Sequence, residues 1–230
     1  MSAPAPSDRS IITDSLGVGL ATGAYGISFG ALATAAGLSV WQACAMSLLM
    51  FTGASQFAYV GVIASGGSPF AGAVTSVLLG GRNLFYGLSL ARLLDVRGWR
   101  RPLAAQLVID ESTAMAVTRA TSHQARLGFY WTGASVFVLW NLFTFVGALA
   151  GTAIGDPRDF GLDAAVGAAF LALLWPRLDS AITRVVAVLG AAIALGLVPL
   201  SPAGVPIIVG GGLALLAGLL LQHRIGARDD

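Results

Sequence analysis

The chain has 230 residues, of which 56% are hydrophobic and only 10% charged, with 13 basic against 11 acidic side chains. That charged fraction is less than half the roughly 25% of an average soluble domain, and with a mean hydropathy of +0.81 it excludes an ordinary soluble enzyme and indicates an integral membrane protein. The single cysteine, Cys44, rules out disulfides within the chain, and two histidines in polar segments, His123 and His223, cannot assemble a metal-ligand cluster.

In chain order, residues 1–14 read as a polar tail, 15–222 as one transmembrane domain and 223–230 as a polar C-terminal tail. The tail lacks the basic start of a secretory signal, and the apolar run after it exceeds the roughly 7–15 residues of a signal core, so Leu16–Gly37 is expected to be a retained helix. The stretches Val40–Ser65, Pro69–Leu94, Phe129–Gly155, Leu162–Trp175, Val185–Pro199 and Val205–Leu221 follow. About 20 apolar residues span the hydrocarbon; Leu162–Trp175 and Val185–Pro199 are short for this and need a thinned bilayer or burial in protein. The expected fold is an all-α, polytopic membrane helix bundle with six or seven crossings and one or two broken or re-entrant segments. Val40–Ser65 is the candidate for a break, because Thr52-Gly53-Ala54-Ser55-Gln56 interrupts it, and such backbone is tolerated at membrane depth only inside protein or beside a wet cavity.

All 13 basic residues are arginines, and apart from Arg9, Arg82 and Arg158 they bunch at 92–101, 119–126, 177–184 and 224–228. Short arginine-rich links belong on the cytoplasmic side. Leu103–Ser122 must then leave and return on the same face, Phe129–Gly155 and Leu162–Trp175 form an out-and-back pair, and the Asp156–Asp159 link is outside. The N-terminus is outside if the first three stretches all cross, and inside if one of them is broken or re-entrant. Among 30 glycines, the pairs Gly19/Gly23, Gly26/Gly30 and Gly147/Gly151 each place two flat patches on one helix face, for packing within the chain or against another subunit.

Charged residues inside apolar stretches are costly and are usually kept for solute or proton handling. Arg82, with Asn83 and Tyr86, lies within Pro69–Leu94, and positions three and four away from it carry no carboxylate. Asp110 and Glu111 likewise have no arginine in helical register. Either Arg82 meets the acidic pair across the bundle, or it holds a substrate carboxylate while Asp110 or Glu111 carries a proton. The plainer alternatives are a fixed structural contact, or acids placed at a helix start where the dipole favours them. Ser55 and Gln56 allow two readings as well: an unwound Gly53–Ser55 segment presenting backbone groups to a solute, or a small-residue packing face. Asn141 is expected to make an interhelical hydrogen bond.

Taken together, Gly23-Ala24-Tyr25-Gly26-Ile27-Ser28-Phe29-Gly30, Met46-Ser47, Phe51-Thr52-Gly53-Ala54-Ser55-Gln56-Phe57, Gly81-Arg82-Asn83-Leu84-Phe85-Tyr86-Gly87 and Asp110-Glu111 resemble the AzlC-type branched-chain amino acid permease family. Gly161-Leu162-Asp163 through Phe170–Leu174 continues the resemblance. Thr52 is a small departure within the Phe-x-Gly-Ala-Ser-Gln stretch. The resemblance implies export of valine, leucine and isoleucine across a bacterial cytoplasmic membrane, with a separate small AzlD-type membrane subunit as partner and no cofactor. Gly53, Ser55, Gln56, Arg82, Asn83 and Tyr86 become candidate substrate-binding residues, and Asp110 and Glu111 candidate proton carriers. A non-transporting scaffold or a carrier of another small solute are the alternatives. An intramembrane serine protease built on Ser55 has no histidine within an apolar stretch to serve as its base.

Overall fold

The structure is a computed structural model that describes residues 6–154, 178–202 and 204–226 together with Leu171, Leu174 and Trp175. The Asp156–Asp159 link, most of the short Leu162–Trp175 stretch and the last segment of the family resemblance lie outside the described residues. Among the described residues all regular structure is helical, as the composition implies.

Helix α1, Asp8–Ala35, starts at Ser7, whose hydroxyl accepts from the Ser10 amide at 3.2 Å, with Asp8 in the first turn. Helix α8, Ser122–Ile154, has 33 residues. At 1.5 Å per residue these two run roughly 42 and 50 Å, well beyond the roughly 30 Å of hydrocarbon. They pack side by side in the same direction. Gly19 lies on Ser135, Gly23 on Leu139, Gly26 on Trp140 and Gly30 on Thr144, and in return Gly147 lies on Ile27 and Gly151 on Ala31. A β-carbon at Gly30 or Gly147 would collide with backbone of the other helix. All three glycine pairs therefore serve packing within the chain. The shared direction is confirmed at the helix starts, where the His123 imidazole lies 3.0 Å from Asp8 and Gln124 Nε2 donates to the Pro6 carbonyl at 2.9 Å.

Helix α8 acts as a ruler for everything else. Helix α2, Val40–Leu49, opens with a capping box between Ser39 and Gln42 and runs back along α8, from Trp41 beside Phe145 to Phe51 beside Phe137. The chain then breaks over Met50–Thr52 and restarts as α3, Gly53–Ala64. Thr52 is extended (φ −155°, ψ 96°) and its carbonyl accepts from Gln56 N at 3.1 Å. The break thus precedes the segment expected to unwind: Gly53, Ala54, Ser55 and Gln56 form the first turn of a helix, because the extended Thr52 already ends the irregular stretch.

Helix α4, Pro69–Gly80, packs antiparallel on α3, with Gly72 against Tyr59, Gly80 beside Ser55 and Ser76 Oγ donating to the Ser55 carbonyl at 2.9 Å. It continues through Gly81, itself helical (φ −55°, ψ −25°), into α5, Arg82–Leu94, so Pro69–Leu94 forms one near-continuous helix. Its lower end, Leu94, sits with Arg126 and Tyr130 near the start of α8. If α4–α5 descends the full length, α3 ascends, and α2–α3 is a hairpin that turns back half-way along α8. Helices α6, Arg100–Gln106, and α7, Asp110–Val117, form a second hairpin from the opposite end: Leu107 packs on Gly133 and Met115 lower down, on Gly128. The expected return of Leu103–Ser122 to its own face is this hairpin. The two tips meet where Gln106 Nε2 donates to the Leu48 carbonyl at 2.9 Å.

The N-terminus accordingly lies at the same end as the arginine-rich 92–101 and 119–126 links, the arrangement expected when one of the first three stretches is broken. Helix α9, Ala181–Leu197, with the 3₁₀ turn Val198–Leu200, and α10, Val205–Gly226, pack on one another, Gly190 against Gly210 and Ala214. They touch the rest through Gly204, which lies on Ala71 and Val62. Among the described residues, α1, α8 and α9 with its turn are each long and apolar enough to cross alone.

Alanine at Gly30 or Gly147 is expected to cost at least about 1–3 kcal/mol by overpacking, whereas Gly17→Ala, with open space around it, is neutral or stabilises by about 0.5–1 kcal/mol. Thermal midpoints of the purified variants in detergent check this; equal midpoints for Gly17→Ala and Gly30→Ala would show that the α1–α8 contact is slack.

Candidate functional site

The hairpin tips enclose a cavity of about 250 Å³. Two helices begin at its wall, α3 at Gly53 and α7 at Asp110, and Arg82 stands there where α4 runs on into α5. Thr22 and Tyr25 of α1, and Val136 and Trp140 of α8, close the opposite side, with Phe51, Phe57 and Ile109 filling the remainder. The aromatic floor is well packed, Phe29 stacking on Trp140 at 6.1 Å between ring centroids and meeting Phe57 edge-on at 5.7 Å.

Local sequence explains each helix start. At α3 no side chain caps the first turn, and Gly53 and Ala54, whose amides precede the first intrahelical bond from Gln56 N to the Thr52 carbonyl, line the cavity. At α7 the extended Ile109 precedes the helix, and Ser112 Oγ accepts from Ile109 N at 3.2 Å while donating to the Leu107 carbonyl at 2.6 Å. The next two residues are Asp110 and Glu111, in the first turn where the helix dipole favours negative charge.

Asp110 is held at both oxygens: Arg82 Nη2 donates to Oδ2 and the Tyr86 hydroxyl to Oδ1, each at 2.6 Å. Arg82 and Tyr86 are one turn apart on α5 and so present a single face to the carboxylate. The side chains of Arg82 and Asp110 are 22% and 28% exposed, partly desolvated and still open to the cavity, and their short separation is that of a charge-assisted hydrogen bond. Of the readings open at the sequence level, two are observed together: Arg82 meets Asp110, though not Glu111, across the bundle, and both acids stand in the first turn of a helix. Glu111 lines the same cavity with Thr22 of α1 approaching it, and no described basic side chain lies within salt-bridge distance of it.

The structure brings Gly53, Arg82, Asp110 and Glu111 to one cavity, with Tyr86 attached through Asp110. It does not bring Ser55, Gln56 or Asn83 there. Ser55 and Gln56 are fully buried elsewhere on α3, on whose buried side Ser55 meets α4. Asn83 lines a separate hollow with Met50, Thr52 and Gln106. Among the described residues Asn141 makes no bond across helices: its Nδ2 donates to the Phe137 carbonyl at 2.8 Å one turn back in α8. Sequence reasoning missed Thr22, Phe57, Val136 and Trp140 as lining residues. Tyr25 was within a quoted motif, and Thr22 was visible as a polar residue next to it; nothing in the spacing marks Val136 or Trp140.

Arg82→Gln and Asp110→Asn should each destabilise the protein, and the double variant by less than the sum, with a coupling of about 0.5–3 kcal/mol. A double-mutant cycle in thermal or denaturant midpoints reads this; additive effects would mean that the pair is not a fixed contact.

A family model described as "AzlC protein" matches residues 17–154, which runs from within α1 to the end of α8 and takes in every residue of the cavity. A protein described as an uncharacterized membrane protein of Archaeoglobus fulgidus is 34% identical over 197 residues, 85% of this chain and 84% of its own. The inner membrane protein YgaZ of Escherichia coli is 27% identical over 159 residues, 66% of this chain and 65% of its own. A membrane protein of Helicobacter pylori is 25% identical over 203 residues, 87% and 88% of the two chains. No solved structure matches. With the match extending over more than half of the chain and a relative above 30% identity over most of it, the chain belongs to the AzlC family of membrane proteins.

Proposed function

We propose that this protein is a membrane transporter that exports branched-chain amino acids, coupled to protons, as the large subunit of a two-component system with a small AzlD-type membrane subunit in a bacterial cytoplasmic membrane. The observation that carries the reading is the half-way cavity, where two broken hairpins meet against α1 and α8. Broken helices with their ends at a midplane site are how many transporters hold solutes.

The size and charge of the cavity favour a small zwitterion. At about 250 Å³ it falls below the roughly 300–1,000 Å³ of pockets for drug-sized ligands. One arginine and two helix N-termini, each equivalent to about half a positive charge, balance the carboxylates of Asp110 and Glu111 when both are ionised. The polar contents of the site are thus near neutral, which suits a ligand that brings one charge of each sign. Since Arg82 is engaged by Asp110, the uncapped first turn of α3 is the better receiver for the substrate carboxylate, with Glu111 facing the ammonium group. Phe51, Phe57, Ile109 and Val136 supply an apolar recess for a branched aliphatic side chain.

In this scheme Asp110 or Glu111 loads a proton from outside as substrate leaves, and the two hairpins move against α1 and α8 to open the cavity alternately to each side. Tyr86 and Arg82 hold the Asp110 carboxylate at a fixed position, while Glu111 has no cation of its own, so Glu111 is the group whose charge is free to follow the substrate.

Vesicles preloaded with labelled valine, leucine or isoleucine should show efflux that needs both subunits and falls on adding a proton uncoupler. Glu111→Gln should insert normally yet lose roughly tenfold or more of that flux, the equivalent of one charge-assisted hydrogen bond. Gly53→Ala, whose β-carbon would come within 2.9 Å of the Trp140 ring, should weaken substrate binding. Full flux in Glu111→Gln removes that residue from the mechanism, and absent flux from a correctly inserted pair removes the branched-chain assignment.

A further inference from the structure

Away from the central cavity, and sharing no residue with it, a hollow of about 680 Å³ lies between the α5–α6 link and the first turns of α8. We propose that it binds the phosphate of an anionic phospholipid headgroup.

The link is a folded structure with a defined shape. Helix α5 ends at Asp95 in the left-handed conformation (φ 43°), Gly98 turns the chain again (φ 61°), the Arg101 amide donates to the Gly98 carbonyl at 3.1 Å and Arg101 Nε to the Val96 carbonyl at 3.0 Å. This geometry presents Arg97 and Arg100 towards Arg126 of α8, so that three arginines from two separate parts of the chain line one hollow with Asp95 as its acid. Asp95 is 3.2 Å from Arg97. Arg100 and Arg126 have no described carboxylate within salt-bridge distance, and Arg100 instead lies over the Trp99 ring, 5.7 Å from its centroid. Two guanidinium groups that line one hollow and face no described carboxylate match the planar two-point recognition of a phosphate.

The rim favours a lipid over a free anion. Trp99 is 73% exposed, and Tyr130 of α8 is exposed beside it; both residue types collect where a membrane meets water. The hollow lies at the arginine-rich end of the bundle, and clusters of arginine next to membrane helices attract anionic lipids. A phospholipid would set its phosphate between Arg100 and Arg126 and lay its acyl chains along the exposed apolar surface, which inorganic phosphate cannot cover.

The test uses the purified full-length protein in a neutral detergent, with thermal midpoint and bound-lipid count by native mass spectrometry as readouts. Phosphatidylglycerol should raise the midpoint and be retained, while phosphatidylcholine and inorganic phosphate should do neither. In Arg100→Ala/Arg126→Ala the apparent affinity for phosphatidylglycerol should fall roughly thirtyfold, the effect of removing two interfacial arginines. Arg9→Ala/Arg184→Ala removes the same charge elsewhere and should bind as the unmodified protein does. Arg100→Lys/Arg126→Lys keeps charge without the planar fork and should show an intermediate loss, which decides the matter if the alanine variant does not fold. An equal shift with inorganic phosphate overturns the lipid assignment, and equal losses in the Arg9/Arg184 variant overturn the site.

Discussion

The parallel contact between α1 and α8 is the constraint on which the rest of the structure depends. In a bilayer, lipid is as apolar as the helix faces, so association rests on close packing and small residues. Here six glycines alternate across one interface, and backbone of one helix lies directly on backbone of the other. The resulting wall is long and closely packed. Against it the two short hairpins find fixed depths, α2–α3 through Phe51 on Phe137 and α6–α7 through Leu107 on Gly133, and only those depths bring their tips together.

The meeting of the tips resolves a cost and creates an opportunity. Irregular backbone at Met50–Thr52 and Leu107–Ile109 would be untenable facing lipid; here Phe51 and Ile109 are buried and Thr52 borders the cavity. The hydrogen-bonding groups released at the helix ends are the ones that can face a solute. The same arrangement bears on why an arginine and two carboxylates are tolerated near the middle of the bundle: Arg82 and Tyr86 donate to both oxygens of Asp110, and the starts of α3 and α7 add a positive field where the acids lie.

The arginines divide into two populations with different physics. Arg82 is partly buried and tied to a carboxylate by one short contact. Those of the α5–α6 link and the start of α8 are exposed and gathered at one end of the bundle, the link itself being shaped by its backbone turns. Their convergence on one hollow depends on Arg126 lying level with the end of α5.

Much of this was determined by sequence alone. Composition established the membrane class, apolar run lengths the helices, arginine grouping the return of Leu103–Ser122 to its own side, and small polar residues near Thr52 the broken Val40–Ser65 segment. These properties are local: run length, charge and backbone preference act within a few turns. The residues that share the cavity are a different kind of fact. Arg82 and Asp110 are 28 positions apart and out of helical register, so their pairing depends on how far each hairpin climbs along α8. Ser55 and Gln56 sit one turn from Gly53 or less, yet are fully buried away from the cavity, Ser55 because α4 packs on it. Trp140 enters the site only because Gly26 lets α1 and α8 close on each other. Pairwise periodicity within a helix cannot encode the register between helices; the fit of their surfaces decides that, and it exists only in the folded structure.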